Sequence, residues 1–537
     1  QHETFHSKPP LTFWVMGLSL KAFGMLGDGG FSGEVIAQNG WVELAIRLPF
    51  ALFGVGGVAF LWWFLRRLVS RRVAWLAAMF TATVPYYFFI SRQAITDIPM
   101  CAMLMGQVAL FAMAMWGEDA ERPLRAWRGL TWFHAFLAGF GVLVLGQLVY
   151  FTFDLRGTRM ALFPKTFLSG PSTMIPFYLG ALGVAVWCWK KTRTVGQVRM
   201  YFFYLLAGVA VLAKGPVAPG LTGLAILAYL VVTGEWRLLK KAELVRVCLI
   251  AIAVALPWHV AMYCKDGNPW LTEYVGVHIV NRAFTGAHGD RGTFDYFLGQ
   301  LGTGMWPWIA FVPVALAGFV RFFRPHTDAE RVRLLVAIWA VLGFFFFSAI
   351  STKFHHYVLP AVPALCTLVA FWWDDVLAGR AKRVGLALVL IVGLLLVTSI
   401  DLVHAQENLV RLFIYRYDRT IPQQAPWSLN FEGVLLGFAA LFVLGACLLA
   451  WARVRAYIMW GMGAVAVAFA LYASHVIVPK ASPHFGQRQL FDLYYQNRSI
   501  HGVDLAYDGL GELYADFAGG QDFRVQALIP HTLSVGA

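Results

Sequence analysis

The fold of this chain is decided by residues 73–116, which read VAWLAAMFTATVPYYFFI, SRQAITD and IPMCAMLMGQVALFAMAMW. A polar turn lies between two apolar runs. Each run approaches the roughly 20 residues that a helix needs to cross hydrocarbon, where only a helix or a closed barrel satisfies its own backbone. The pattern predicts two membrane helices joined by a short turn that carries Arg92 and Asp97.

The composition extends this prediction to the whole chain. Of its 537 residues 59% are hydrophobic and only 13% are charged, whereas soluble domains carry about 25% charged residues. The 21 Trp and 44 Phe suit a lipid-facing surface with aromatic belts. We therefore predict an all-α polytopic membrane protein.

The net charge of +14 does not indicate nucleic-acid binding, because the basic residues form short clusters between apolar runs. Seven such clusters are Arg66, Arg67, Arg71 and Arg72; Arg122, Arg125 and Arg128; Lys190, Lys191, Arg193 and Arg199; Arg237, Lys240, Lys241 and Arg246; Arg321, Arg324, Arg331 and Arg333; Arg380, Lys382 and Arg383; Arg453 and Arg455. The positive-inside rule places them all on the cytoplasmic side. This arrangement predicts about 14 transmembrane helices.

The remaining loops then face outward, and they contain isolated polar residues that form a candidate site. These residues are Lys8, Arg92, Asp97, Lys214, His278, Asn281, Arg282, Lys353, His355, His356 and Tyr357. Ionisable groups at the boundary of a membrane indicate function by default.

Several of these residues have two interpretations. Lys8 precedes Pro9 and Pro10, so it either helps a helix N-terminus to bind an anion or only anchors the helix at the interface. Asp97 is either a helix cap or a carboxylate that acts as general base or orients an acceptor. Arg92 either pairs with Asp97 or holds a phosphate, and Lys214 suits helix capping.

The two remaining polar segments have alternatives of the same kind. The long loop 265–294 contains His278, Asn281 and Arg282, and long loops are uncommon unless they are functional. Its histidine spacing fits no metal-ligand pattern, so we expect no metal or other cofactor and keep a divalent cation only as an alternative. Lys353, in 351–357, is either an interface anchor or a ligand of a lipid phosphate.

Taken in order, the outer motifs resemble a known family. They are HSKPPLTFW, SRQAITDIPM, VLAKGPVAP, ALPWHV, VHIVNRAFTGAHG, MWPW and TKFHHYVLPAVPAL, from residue 6 to about residue 370. They resemble the bacterial GT-C integral-membrane glycosyltransferases, in particular lipid A aminoarabinose transferase and protein-mannosyltransferase-like enzymes. The resemblance implies a sugar donor on a polyprenyl phosphate and inverting transfer of the hexose or pentose. The acceptor would be lipid A, another glycolipid or a protein, at the periplasmic face of the bacterial inner membrane.

The resemblance also implies roles for individual residues. Lys8 and Arg282 would hold the donor phosphate, and Lys214 and Lys353 match cations near the lipid groove that Tyr357 lines. Asp97 matches the second acidic position of the family and, with Arg92, is the catalytic candidate. His278, Asn281, His355 and His356 are assigned to the lipid or acceptor groove.

The chain departs from the family in two places. The first catalytic carboxylate of the family precedes the KPP motif, and Glu3 does not match its position. We therefore expect that an upstream segment is missing. The catalytic base is then either in that segment or Asp97. Residues 131–189 are predicted as an extra pair of spans without a role.

The predicted division is a transmembrane catalytic domain with outer-face loops, 1–478, and a small periplasmic α/β domain, 479–537, possibly truncated at its end. In the second domain QRQLFDLYYQNR is predicted as a helix and VDLAYD as a strand. The competing function is a transporter or flippase of lipid-linked sugars. The position of the ionisable groups at span ends, with no internal repeat, favours the transferase.

Overall fold

The structure is a computed structural model. It describes residues 8–25, 41–124, 131–163, 166–286, 292–319, 324–412 and 430–485, together with strands at 504–507, 513–516 and 523–524. The α-helices are α1 Leu11–Ala22, α2 Val42–Leu68, α3 Arg71–Thr83, α4 Pro85–Ile90, α5 Asp97–Trp116, α6 Trp132–Asp154, α7 Ile175–Lys191, α8 Val195–Lys214, α9 Val217–Thr233, α10 Leu238–Ala242, α11 Leu244–Leu271, α12 Arg282–Phe284, α13 Tyr296–Gly304, α14 Val312–Phe319, α15 Asp328–Ala349, α16 Val362–Leu377, α17 Val384–His404, α18 Glu407–Val410, α19 Glu432–Leu448, α20 Arg455–Tyr472 and α21 Val478–Phe485.

Shorter elements connect these helices. Two π-helical segments, Thr272–Asn281 and Ala473–Ile477, continue α11 and α20, and 3-10 turns occupy Pro171–Met174, Trp308–Phe311 and His355–Ala361. The strands are β1 Arg159–Phe163, β2 Thr166–Ser169, β3 Asp504–Tyr507, β4 Leu513–Asp516 and β5 Phe523–Arg524. All neighbouring strands are antiparallel.

The prediction of an all-α polytopic membrane protein is confirmed. Among the described residues ten helical stretches are long and apolar enough to cross a membrane, or eleven if the bent pair Tyr296–Gly304 and Trp308–Gly318 forms one span. Three shorter apolar helices, α1, α9 and α19, accompany them. The exact count of about 14 crossings stays a prediction.

Helix α5 lies at the centre of the bundle and brings Asp97 to one end of it. All of its 20 residues are buried, and it packs against α2 and α8. A helix that is apolar on every side is stable only when other helices surround it or lipid does. The preceding apolar run, residues 73–90, is broken at Val84, where Pro85 begins α4, because a residue before proline disfavours the helical conformation.

Ion pairs around two buried carboxylates join three helices at the opposite end of the bundle from Asp97. Asp374 accepts from Arg72 Nε at 2.6 Å and from Arg380 Nη2 at 2.5 Å. Asp375 accepts from both Nη atoms of Arg333, at 2.7 and 3.0 Å. Three arginines of the predicted cytoplasmic clusters therefore also hold α3, α15 and the end of α16 together.

The predicted extra pair of spans is present as α6 and α7, and the β1–β2 hairpin connects them. The outer end of α6 is tied to α11, since Lys265 Nζ lies 3.0 Å from Asp154 Oδ2.

At the C-terminal end, the VDLAYD segment contains strand β3, whereas the predicted helix QRQLFDLYYQNR lies outside the described residues. Helical structure continues from Arg455 to Phe485, across the predicted boundary at residue 478. The division into two domains stays a prediction.

Candidate active site

Four separated parts of the chain bring polar side chains to the end of α5. They are the KPP segment before α1, the end of α8, the α12 turn, and the segment 351–357 that precedes α16. The site combines three cations, one carboxylate, a tyrosine and a histidine.

The carboxylate is that of Asp97, the first residue of α5, which is only 1% exposed. The Lys214 ammonium donates to its Oδ1. Its Oδ2 lies 3.4 Å from the Thr96 hydroxyl and 3.6 Å from His356 Nε2. Burying a carboxylate is costly unless it is paired. The interpretation that pairs Asp97 with Arg92 is wrong, because Lys214 is the partner and the Arg92 side chain is exposed.

Lys214 is placed by the way α8 ends. It is the last residue of the helix, and Gly215 follows it with φ +83° and ψ −166°. Residues that have a Cβ rarely adopt this backbone conformation. The ammonium lies 4.5 Å from the centroid of the Tyr357 ring as well as on Asp97. A cation over an aromatic face is stabilised by the ring quadrupole. Lys214 thus joins the end of α8 to α5 and to Tyr357.

Arg282 contributes the second cation. Its Nη1 lies 3.5 Å from the Tyr357 hydroxyl oxygen, and its guanidinium carbon lies 5.6 Å from the centroid of the Phe354 ring. Within the described residues its Nε is buried and has no hydrogen-bond partner. A guanidinium with an unused donor is suited to bind a further anion in a bidentate manner.

Lys8, the third cation, is half-buried beside the other two. Burial, followed by the positive charges of Arg282 and Lys214, lowers its pKa to about 7, although the charge of Asp97 opposes the shift. The cluster therefore carries more positive than negative charge in a poorly solvated place. A bound anion would relieve this repulsion and raise the pKa of Lys8.

The Lys353 side chain is hydrogen-bonded to backbone carbonyls at the end of α15. Its ammonium donates to the Ser348 carbonyl at 2.7 Å, to the Phe347 carbonyl at 3.4 Å and to the Ile350 carbonyl. Burial lowers its pKa. Its role as a phosphate ligand is untested, and these contacts favour the capping of α15.

The other four residues predicted to line the groove lie in different surroundings. His355 and His356 are buried; the His356 ring stacks on Phe354 with centroids 5.8 Å apart, and the Tyr86 hydroxyl donates to the His355 carbonyl at 2.7 Å. His278 Nε2 lies 3.7 Å from Glu273 Oε1 in the π-helical segment, and the adjacent Asn281 is exposed.

Sequence analysis missed Phe354 and Tyr274. Phe354 packs against Arg282, His356 and Tyr357. A Cβ on Gly215 would lie 3.3 Å from the Tyr274 hydroxyl, so Tyr274 lies directly against the turn that places Lys214. In a chain with 44 Phe and 19 Tyr, neither residue stands out. In the described part of the chain, no group of three His, Cys, Asp or Glu residues could hold a metal.

Comparison with known proteins relates this geometry to a fold. Residues 1–155 match the family model described as dolichyl-phosphate-mannose-protein mannosyltransferase. The crystal structure of ArnT from Cupriavidus metallidurans bound to undecaprenyl phosphate is 18% identical, with a TM-score of 0.54, and the match covers 87% of this chain and 66% of that one. The fold is a GT-C fold.

Curated relatives confirm the resemblance. An undecaprenyl phosphate-alpha-4-amino-4-deoxy-L-arabinose arabinosyl transferase of Shewanella sediminis is 28% identical over 188 residues, which are 34% of this chain and 32% of the relative. One of the same description from Edwardsiella ictaluri is 28% identical over 264 residues, or 48% and 45%. The chain therefore spans less than half the length of these relatives, and it resembles GT-C glycosyltransferases.

Proposed function

We propose that this protein is an inverting membrane glycosyltransferase that moves a sugar from a polyprenyl-phosphate carrier to lipid A, another glycolipid or a protein. Curated relatives are named as transferases of an undecaprenyl phosphate-linked aminoarabinose, and the similar ArnT structure holds undecaprenyl phosphate. The observation that carries the proposal is the meeting of Lys8, Lys214 and Arg282 around one carboxylate.

In this proposal Lys8 and Arg282 bind the phosphate of the donor. Negative charge grows on the bridging oxygen as the glycosidic bond breaks, so cations fixed there stabilise the transition state more than the ground state. Arg282 has an unused Nε, and Lys8 gains stabilisation because an anion offsets the repulsion from its neighbours. The Tyr357 hydroxyl orients the Arg282 guanidinium.

Asp97 has a different part in the proposal. It is buried, and the Lys214 ammonium already donates to it. We assign it first to the orientation of Lys214 and of the acceptor. If the acceptor is a hydroxyl, Asp97 is the described carboxylate nearest to the cations and takes its proton; an anionic phosphate acceptor needs no base. Arg92, exposed in the same turn, is the candidate contact for such an acceptor.

The proposed location is the bacterial inner membrane, with the site facing the periplasm. The successive helices α3 and α4 run from Arg71 to Ile90, just before Asp97, and the span that contains α16 starts beside His356 and ends beside the Asp375 network. The site and the arginine network therefore lie at opposite ends of these helices, and the positive-inside rule assigns the arginine end to the cytoplasm.

The test is transfer of label by the purified full chain. Proteoliposomes receive radiolabelled polyprenyl-phosphate sugars and a membrane extract, and label is followed into lipid A, other lipids and protein. The wild type should label one acceptor class, and Arg282→Met should abolish this. Lys241→Met is the matched control, because this lysine is exposed and pairs with exposed Glu121. Label that crosses the bilayer while still on its carrier would show a flippase instead.

A further inference from the structure

The segment 351–357 holds Arg282 from two sides. The Thr352 amide donates to the Arg282 carbonyl at 3.2 Å, and the Ser351 amide donates to the Ala283 carbonyl at 3.0 Å. The Ser351 hydroxyl adds a bond of 2.8 Å to the Phe284 carbonyl. These bonds fix the backbone of α12, while Tyr357, on the same segment, contacts the guanidinium. Any shift of the segment 351–357 therefore moves both the backbone and the guanidinium of Arg282.

The segment itself is anchored by Lys353. The ammonium of Lys353 donates to the carbonyls of Phe347 and Ser348 in the last turn of α15 and of Ile350, which follows the helix, and Lys353 is 8% exposed. An ammonium has three donors, and here three carbonyls accept from it. The last carbonyls of a helix lack partners within the helix, and a cation there is favoured by the helix dipole.

The stem of Lys353 is enclosed as well. The ammonium lies 5.7 Å from the centroid of the Phe297 ring on α13. A Cβ added at Gly292 would come within 2.6 Å of Lys353 Cγ, so the chain that leads to α13 lies directly against the stem. Lys353 thus joins α15, the approach to α13 and the segment that carries Tyr357.

We propose that Lys353 is a positioning residue for Arg282 and does not bind the donor phosphate. The inference rests on the proposed function, because Arg282 is taken there as a phosphate ligand. To bind a phosphate, Lys353 would have to give up its hydrogen bonds to the carbonyls of Phe347, Ser348 and Ile350. The residue acts through the segment 351–357: it fixes the end of α15, the segment starts from that end, and the segment fixes Arg282.

The two roles predict different responses to removal of the charge. Gln at position 353 is neutral but keeps two N–H donors for the carbonyls, whereas Met keeps neither charge nor donors. A positioning role requires donors, and a phosphate-binding role requires charge. Lys353→Gln should therefore stay within about threefold of the wild-type donor KM, while Lys353→Met should raise it about tenfold, a factor typical of losing one or two hydrogen bonds.

The deciding experiment combines these variants with Arg282→Met in a double-mutant cycle. The cycle is read as affinity for undecaprenyl phosphate, because Arg282→Met transfers no sugar. We expect Lys353→Met to lower this affinity by less than about twofold when Arg282 is already Met, because its effect passes through that arginine. Equal losses for Lys353→Gln and Lys353→Met, together with a full further loss in the double variant, would overturn the inference and make Lys353 a phosphate ligand.

A readout that does not depend on catalysis separates this inference from the proposed function. Hydrogen exchange of the Ser351 and Thr352 amides, which donate to α12, should speed up in Lys353→Met and much less in Lys353→Gln. Unchanged exchange in both would overturn the inference even if transfer is confirmed. If wild type transfers no sugar but exchange responds as stated, only the proposed function fails. Should Lys353→Met not fold, Lys353→Leu, which also lacks both charge and donors, replaces it with the same expected results for KM and exchange.

Discussion

The titration of Lys8 makes donor binding depend on pH in a direction that the site geometry determines. Its pKa is about 7, because burial and the charges of Arg282 and Lys214 disfavour the ammonium. A phosphodiester donor keeps one negative charge across the neutral and alkaline range, whereas Lys8 loses its charge there. A bound phosphate favours the protonated lysine and raises its pKa.

The magnitude follows from the fraction of Lys8 that is ready to bind. Apparent affinity is reduced by the fraction of protein in the competent state. Two pH units above its pKa, only about 1% of Lys8 is protonated, so donor KM should rise about 100-fold between pH 6 and pH 9, or about tenfold per unit above pH 7.

The stability of the unliganded protein should change in the opposite direction. The pKa of Lys8 is lower in the folded chain than its ordinary value of 10.5. Between about 7 and 10.5 the unfolded state therefore binds more protons than the folded state, and the free energy of unfolding rises with pH as far as Lys8 contributes. Below pH 7 this contribution is constant.

The assay is donor KM from pH 6 to pH 9 for the wild type and for Lys8→Arg. Arginine stays protonated throughout, so its KM should be nearly flat above pH 7. Thermal unfolding without and with the phosphodiester donor, over the same range, checks the two opposite trends. A wild-type KM that stays constant between pH 7 and pH 9, or a KM that rises with the same slope in Lys8→Arg, would refute the assignment of Lys8 to the phosphate.

Three further predictions concern single side chains. Asp97→Asn leaves the buried Lys214 cation unpaired and should lower the free energy of unfolding by about 3 kcal/mol. Adding Lys214→Met should restore stability, and chemical or thermal unfolding in detergent measures both variants. An Asp97→Asn variant as stable as the wild type would contradict the proposed importance of this ion pair. Gly215→Ala strains the turn by roughly 1–3 kcal/mol and should lower kcat/KM because Lys214 is next to it; wild-type activity would show that the turn adapts. Asp375→Asn should lower the melting temperature and leave the donor KM unchanged, because its Arg333 pair lies at the far end of the bundle; a changed KM at an unchanged melting temperature would disagree.

The alternation of apolar runs and short turns was enough to predict the fold, since backbone satisfaction in lipid allows a long apolar run few other structures. The break at Val84 and Pro85 within the run 73–90 was less apparent, because a proline in a membrane helix does not always end it. The π-helical segment that leads to Arg282 has no signature in the sequence.

The site was predictable as a set of residues but not as a set of contacts. Isolated cations at span ends marked Lys8, Lys214 and Arg282, because charge is costly there. Sequence could not tell that Asp97 pairs with Lys214, 117 positions away, in preference to the nearby Arg92. Nor could it separate Lys353 from the other lysines, since the difference depends on which carbonyls lie within its reach.

The central claim is that Lys8 and Arg282 hold a polyprenyl phosphate. Direct titration of the purified full chain with undecaprenyl phosphate tests it, in wild type, Lys8→Met, Arg282→Met and the Lys241→Met control. The account predicts saturable binding by the wild type and the control, and a loss of at least about tenfold in each of the other two, since a charge-assisted hydrogen bond contributes roughly 1.5–3 kcal/mol. Equal affinity in all four proteins would contradict it.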